Sequence, residues 1–216
     1  MLNQEQLSCY QAQANVLYHA LYFEPSDFLL GQFRDNEVAV SWPNTGEASS
    51  RSRGLGLLAQ ALDEPDEVLL PRLKRDYTEL FIGPGELKAI PWGSPYLHEK
   101  RLLCGPSTEA FAAFCQHHGI QVTTQTKEPI DHMGLMLSVV ASLLAEEAKQ
   151  ANGVAVKVAG DLLTEHLLPW GGRFCQLMAE GANTPYYQGI ALLTTSLLEG
   201  LEQDLDLTPL SLQLFL

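Results

Sequence analysis

No CxxC pair occurs among the four cysteines of this 216-residue chain; Cys9, Cys104, Cys115 and Cys175 stand scattered along it. That excludes zinc-finger spacing and a disulfide framework, and buried, reduced thiols are the expectation. No run of about 18 apolar residues occurs, so no membrane-spanning helix is expected. Met1-Leu2-Asn3-Gln4-Glu5 has no basic segment, and no cleavable apolar stretch follows it. A secretory signal needs both, so the expected location is the cytoplasm. Positive charge is also scarce. Lys and Arg total 13 against 26 Asp and Glu, a net charge of −13. Such a field repels phosphate backbones and attracts cationic partners, so nucleic-acid binding is not expected. The basic clusters Arg51-Ser52-Arg53 and Arg72-Leu73-Lys74-Arg75 are both short.

Signatures of catalysis and cofactor binding are missing as well. The chain contains no GxxxxGK[ST] phosphate loop, no GxGxxG after a strand, no HExxH and no GxSxG elbow. Cys115 with His117-His118 looks like a metal cluster on paper. Adjacent helical residues point about 100° apart, however, and chelate poorly. No metal, cofactor or catalytic residue is expected. Period-two alternation is not found either.

What the sequence does carry is helical periodicity. Leu7, Tyr10, Ala14, Leu17 and Leu21 share a face of a helix over about 3–23. Ser26 or Pro25 opens a second helix through Phe33. Leu55, Leu58, Ala59 and Leu62 mark a third. A fourth runs from about Asp66 through Leu69, Leu73, Tyr77, Leu80 and Phe81 and stops at Gly83-Pro84-Gly85. From there to Gly105-Pro106 lies a long loop containing Pro91-Trp92-Gly93-Ser94-Pro95-Tyr96, whose length suggests a functional role. Ser107 begins the next helix and Gly119 ends it, and residues 120–127 are a connection. Helices follow at about 131–151, 153–167, 170–181 and 185–203, with Pro169, Gly171-Gly172, Gly181 and Pro185 as joints. The expected fold class is all-α, a single-domain multi-helix bundle over residues 1–216.

Glu128-Pro129-Ile130-Asp131-His132 directly precedes the most regular of these helices. Proline pushes Glu128 out of helical geometry. Asp131 and His132 then fall in or just before a first turn, where free N–H groups and the helix dipole favour a carboxylate.

Two segments together resemble the signature motifs of the TorD/DmsD family of twin-arginine redox-enzyme maturation chaperones. Tyr77-Thr78-Glu79-Leu80-Phe81-Ile82-Gly83-Pro84 is similar to the first and Glu128-Pro129-Ile130-Asp131-His132 to the second. Pro91-Trp92-Gly93-Ser94 resembles the DmsD branch. The resemblance implies a cytoplasmic binding protein that is not an enzyme. Its partner would be the twin-arginine leader of an exported molybdopterin enzyme's catalytic subunit, of dimethyl-sulfoxide-reductase type. The protein would hold the leader until cofactor insertion, with the twin-arginine translocase as a further candidate partner. The resemblance places Tyr77, Leu80, Phe81, Pro91, Trp92, Asp131 and His132 at or near a leader-binding surface that Glu128 and Pro129 shape. A leader has two guanidinium groups followed by an apolar stretch, so its receptor needs carboxylates and a greasy groove. Trp92, Tyr96, Leu80 and Phe81 are candidates for the groove. Asp131→Ala is expected to weaken binding and leave folding intact. Two alternatives stay open. One is a hydrolytic or nucleotide-binding enzyme centred on Asp131-His132, with His118, Asp131 and His132 as a conceivable ligand set. The other is a helical scaffold assembling through Trp42 or the acidic stretch Glu199–Asp206. A monomer is expected, with helix exchange through the 120–127 hinge as an alternative.

Overall fold

The first helix begins where the sequence supplies a cap. Asn3 Oδ1 accepts the Gln6 N–H, and the Gln6 side chain accepts the Asn3 N–H in return, closing a capping box ahead of α1 (Gln4–Tyr22). Ser26 caps α2 (Asp27–Asp35) through a single bond, its hydroxyl accepting the Leu29 N–H. The computed structural model describes residues 2–124 and 127–216. Within them follow α3 (Val38–Ser41), α4 (Ala48–Leu62), α5 (Asp66–Tyr77), α6 (Ser94–Leu97), α7 (Pro106–His117), α8 (Met133–Gln150), α9 (Val154–Leu162), α10 (Leu168–Gly181) and α11 (Pro185–Asp204). The chain is 69% helical, and no strand forms among the described residues. The fold is therefore all-α, as the periodicity predicts. No helix among the described residues is long and apolar enough to cross a membrane. The 120–127 connection forms no helix at 120–124, and the middle of the expected hinge lies outside the described residues.

Two helices sit at the centre. Helix α8 is buried on two sides, with Leu135, Val139 and Leu143 on one and Met136, Val140 and Leu144 on the other. A helix apolar on both sides must be surrounded. Helix α1 packs against α8 and α11, with its predicted face of Leu7, Tyr10, Ala14, Leu17 and Leu21 inward. Helices α4 and α10 pack against α11, and α9 against α8. The α4–α11 contact is closer than side chains allow. A Cβ on Gly189 would stand 2.8 Å from Gly54 O, and one on Gly200 would stand 2.3 Å from Cα of Gly46 in the turn just before α4.

Three expectations are corrected. The helix from Asp66 does not run unchanged to Phe81. It widens at Thr78–Ile82 into a π turn, where the Gly83 N–H reaches back to Thr78 O at 2.8 Å. A second π turn, Leu163–Leu167, links α9 to α10. Pro169 and Gly171-Gly172 are not joints but lie in the first turns of α10, where a proline lacking its N–H costs no helical bond. The cysteines are free but not uniformly buried. Cys115 and Cys175 are inside, Cys9 is half-exposed and Cys104 is exposed. Burial pushes the inner thiols up, to about 11 at Cys115 and about 12 at Cys175, which leaves them inert as nucleophiles.

Candidate functional site

The long loop after Gly83 is ordered by pairing with the Asp131-His132 segment. The Gly93 N–H donates to Asp131 O at 3.0 Å, and the Met133 N–H donates to Pro91 O at 2.7 Å. Trp92 and His132 face each other in an isolated antiparallel bridge. Their rings meet edge to face at 5.5 Å, and Tyr22 packs on His132 at 5.3 Å in the same way. Gly93 is required here. A Cβ would fall 2.7 Å from Trp170 Nε1 and 2.8 Å from Trp170 Cε2.

The acid and the histidine divide the work differently from the expectation. His132, not Asp131, caps α8, with Nδ1 accepting the Gly134 N–H at 3.0 Å. Asp131 turns sideways, and its Oδ2 accepts the Ser94 N–H at 2.8 Å and the Thr108 hydroxyl at 3.0 Å. It thereby ties α6 and α7 to the start of α8. Burial holds His132 neutral, with its pKa lowered to about 3, so it is poorly suited to general acid–base work near neutral pH.

The other oxygen, Asp131 Oδ1, is buried and takes no hydrogen bond among the described residues. Trp92 Nε1, Ser94 Oγ and Ser107 Oγ are likewise buried without a partner among the described residues. Buried polar atoms are ordinarily paired, so a cluster of unpaired ones points to a ligand. Asp131 borders a cleft of about 260 Å³ together with Gly93 and Ser107. Its apolar walls are Leu97, Phe111, Met136 and Trp170, and Glu165, which is exposed, stands with them as a second acid. Leu210 and Leu212 complete it.

The first motif joins this site through α1. Tyr77 hydroxyl donates to Tyr22 O at 3.2 Å, and Tyr22 hydroxyl donates to Glu128 Oε1 at 2.7 Å. Of the residues singled out in the sequence, Trp92, Glu128 and Pro129 are half-exposed, while Tyr77, Pro91, Asp131 and His132 are buried. Leu80, Phe81 and Tyr96 are core, at 0%, 2% and 0% exposure. Phe81 packs on Tyr77, Phe174 and Tyr187. None of these three lines the cleft, nor does Trp92, and its greasy surface comes from residues the sequence did not flag as groove candidates. Trp170 was hidden among apparent helix joints. Leu210 and Leu212 belong to a period-two run, Leu210-Ser-Leu-Gln-Leu-Phe-Leu216, which the expectation of no alternation missed. Trp42, the other candidate contact, is 9% exposed and belongs to the core. Among the described residues no three His, Cys, Asp or Glu side chains converge on a metal-sized site. His118 lies exposed against Phe114, its ring 4.6 Å away.

Residues 47–176 match the family model described as nitrate reductase delta subunit. The chain is 31% identical to a Haemophilus influenzae protein named "Probable Tat proofreading chaperone DmsD", over 94% of this chain and 93% of that one. It is 32% identical to the Tat proofreading chaperone DmsD of Salmonella typhimurium over 83% and 82% of the two. With the chaperone protein TorD of Aliivibrio salmonicida it shares 24% identity over 91% and 93%. The two motifs, the helical fold and these near end-to-end matches together place the chain in the TorD/DmsD family, to which it belongs.

Proposed function

We propose that this protein is a cytoplasmic chaperone that binds the twin-arginine leader of an exported molybdopterin redox enzyme in the cleft beside Asp131. The dimethyl-sulfoxide-reductase type of catalytic subunit is the client class, because Pro91-Trp92-Gly93-Ser94 resembles the DmsD branch and the relatives that share 31–32% identity over more than four fifths of the chain carry the DmsD name. It acts as one helical domain and releases the leader after cofactor insertion. The observation that carries this reading is Asp131 Oδ1, a buried acceptor without a partner at the wall of an apolar cleft. Guanidinium fits such an acceptor through planar, directed N–H groups. Two arginines call for two acids, and Glu165 is the second at the same cleft.

Charged hydrogen bonds contribute roughly 1.5–3 kcal/mol each, so a pair falls short of the roughly 8 kcal/mol behind micromolar affinity. The apolar stretch of the leader supplies the rest against Leu97, Phe111, Met136 and Trp170. The net charge of −13 speeds encounter with a cationic peptide. An enzymatic role for Asp131-His132 finds no support in a neutral, buried histidine whose ring nitrogen is taken up in capping α8.

The test is titration calorimetry with a synthetic twin-arginine leader and its Lys-Lys counterpart. The Arg-Arg peptide should bind with micromolar or better affinity and the Lys-Lys peptide at least tenfold more weakly. Equal affinity for both, or no binding, sinks the proposal.

A further inference from the structure

The segment after α11 is built unlike the rest of the chain. It carries no charge from Leu207 to Leu216, and from Leu210 onward every second residue is leucine. In an extended chain that spacing puts Leu210, Leu212 and Leu214 on one face. The segment leaves α11 through a left-handed turn at Asp206, φ 53°. It then runs back over the bundle, with Leu207 Cδ2 held in the space left by Gly160. The Leu210 N–H donates to Thr164 O at 3.1 Å and the Phe215 N–H to Tyr96 O at 2.9 Å. Arg173 Nε donates to Leu216 O at 3.1 Å. Between these ties the segment crosses the cleft beside Asp131, and Leu210 and Leu212 form part of its wall.

The fit is incomplete. Leu210, Leu212 and Leu214 keep 48%, 46% and 37% of their surface exposed. A segment tied down by these three hydrogen bonds and carrying much solvated apolar surface opens locally at low cost. One side of the cleft is thus already covered by an extended apolar segment whose side chains carry no charge. That chain has no cationic residue to engage Asp131 Oδ1, which stays unpaired beneath it.

We propose that Leu207–Leu216 is a strap occupying the seat of the client leader's apolar stretch, and that leader binding requires it to lift. This inference rests on the leader-binding reading above and deepens it by naming the apolar subsite and its resident competitor. The strap covers only the apolar half of the site. It therefore penalises a full leader but not a short Arg-Arg peptide lacking the apolar stretch. A strap open about a tenth of the time weakens the apparent affinity for a full leader about tenfold.

The experiment compares the wild-type chain, Leu210→Ser/Leu212→Ser, and a Ser211→Ala/Gln213→Ala control on the exposed residues between the leucines. Each is titrated with a full twin-arginine leader, its Lys-Lys version and a short Arg-Arg peptide. Amide hydrogen exchange at Leu210 and Phe215 is followed in the wild type with and without saturating full leader. The leucine variant should bind the full leader about three- to tenfold more tightly and the short peptide unchanged, while the control matches wild type. In the wild type both amides should lose protection when the full leader saturates the site. Equal or weaker leader binding by the leucine variant, or amides still protected in the saturated complex, overturns the strap. Discrimination of Arg-Arg from Lys-Lys in the same titrations would then leave the leader-binding reading standing. Failure of every form to bind the leader overturns both. Should the leucine variant melt below wild type, the exchange measurement on the wild type decides alone.

Discussion

Asp131 offers its two oxygens to different tasks, and two substitutions separate them. Asp131→Ala removes both. Its Oδ2 is the acceptor for the Ser94 N–H and the Thr108 hydroxyl, and Ser94 and Thr108 are 0% and 8% exposed. Water cannot readily replace that acceptor. An orphaned buried donor costs about 1–3 kcal/mol, and the lost tie between α6, α7 and α8 brings the total to about 3 kcal/mol. In a chain of this length each kcal/mol lowers the melting temperature by about 2–4 °C, so Asp131→Ala should melt about 6–12 °C lower. The motif alone suggested that this substitution leaves folding intact, and the buried bonds reverse that expectation. Asp131→Asn keeps a carbonyl oxygen for Ser94 and Thr108 and puts an amide where Oδ1 stood. It should melt within about 1 kcal/mol of wild type and still lose the charged bond to a guanidinium. That loss of about 1.5–3 kcal/mol corresponds to roughly ten- to hundredfold weaker leader binding. Circular dichroism melts and calorimetric titrations of the three proteins make the comparison. The reasoning is refuted if Asp131→Asn melts as low as Asp131→Ala, if Asp131→Ala melts like wild type, or if Asp131→Asn binds the leader at full strength.

Two further predictions concern the frame around the site. His132 is neutral in the folded protein down to about pH 3, whereas the unfolded chain takes up its proton near 6.5. Its contribution to stability is therefore complete above pH 6.5 and is lost as pH falls from 6.5 toward 3, at up to about 1.4 kcal/mol per pH unit. His132→Asn, which keeps a capping side chain, should flatten the decline of the urea midpoint between pH 6.5 and 5 by about one proton's worth. An unchanged slope would mean that His132 is not the group responsible. Gly189→Ala sets a Cβ 2.8 Å from the Gly54 carbonyl oxygen, and backbone cannot rotate away as a side chain can. It should destabilise by about 3 kcal/mol, at the upper end of ordinary overpacking, and a melt within 2 °C of wild type would contradict the close α4–α11 approach.

The helices were legible in the sequence because their apolar spacing and stops are local. Asn3 and Ser26 cap as their types predict, and the face Leu7–Leu21 turns inward as its spacing requires. The entry to α8 was legible too, since a proline followed by acid and histidine marks it. Its bonding was not. Nothing near Asp131 in sequence announces Ser94 or Thr108 as its partners, because only the folded loop brings them there. Leu80 and Phe81 looked available for a peptide, yet their helical register with Leu73 and Tyr77 turns them into the core. The π turns were invisible, since one extra residue per turn leaves no mark on an apolar pattern. The strap's alternation stood in plain view. It was missed because a single short run of period two has no partner strand and lies beyond the last helix.

The scarcity of basic residues and the buried carboxyl of Asp131 act at different ranges. The surface charge of −13 is screened within about 8–10 Å at physiological salt, so it draws any cationic peptide without distinguishing arginine from lysine. Choice needs an acceptor whose direction is fixed. Asp131 is fixed because its Oδ2 is committed to Ser94 and Thr108, and its backbone carbonyl to Gly93. A carboxyl so held presents Oδ1 at one angle, which a planar guanidinium fork can meet and a compact ammonium, bonding as a point charge, has less to gain from. On the proposed reading, the hydrogen bonds that make Asp131 structural are therefore the same ones that would let it discriminate arginine from lysine.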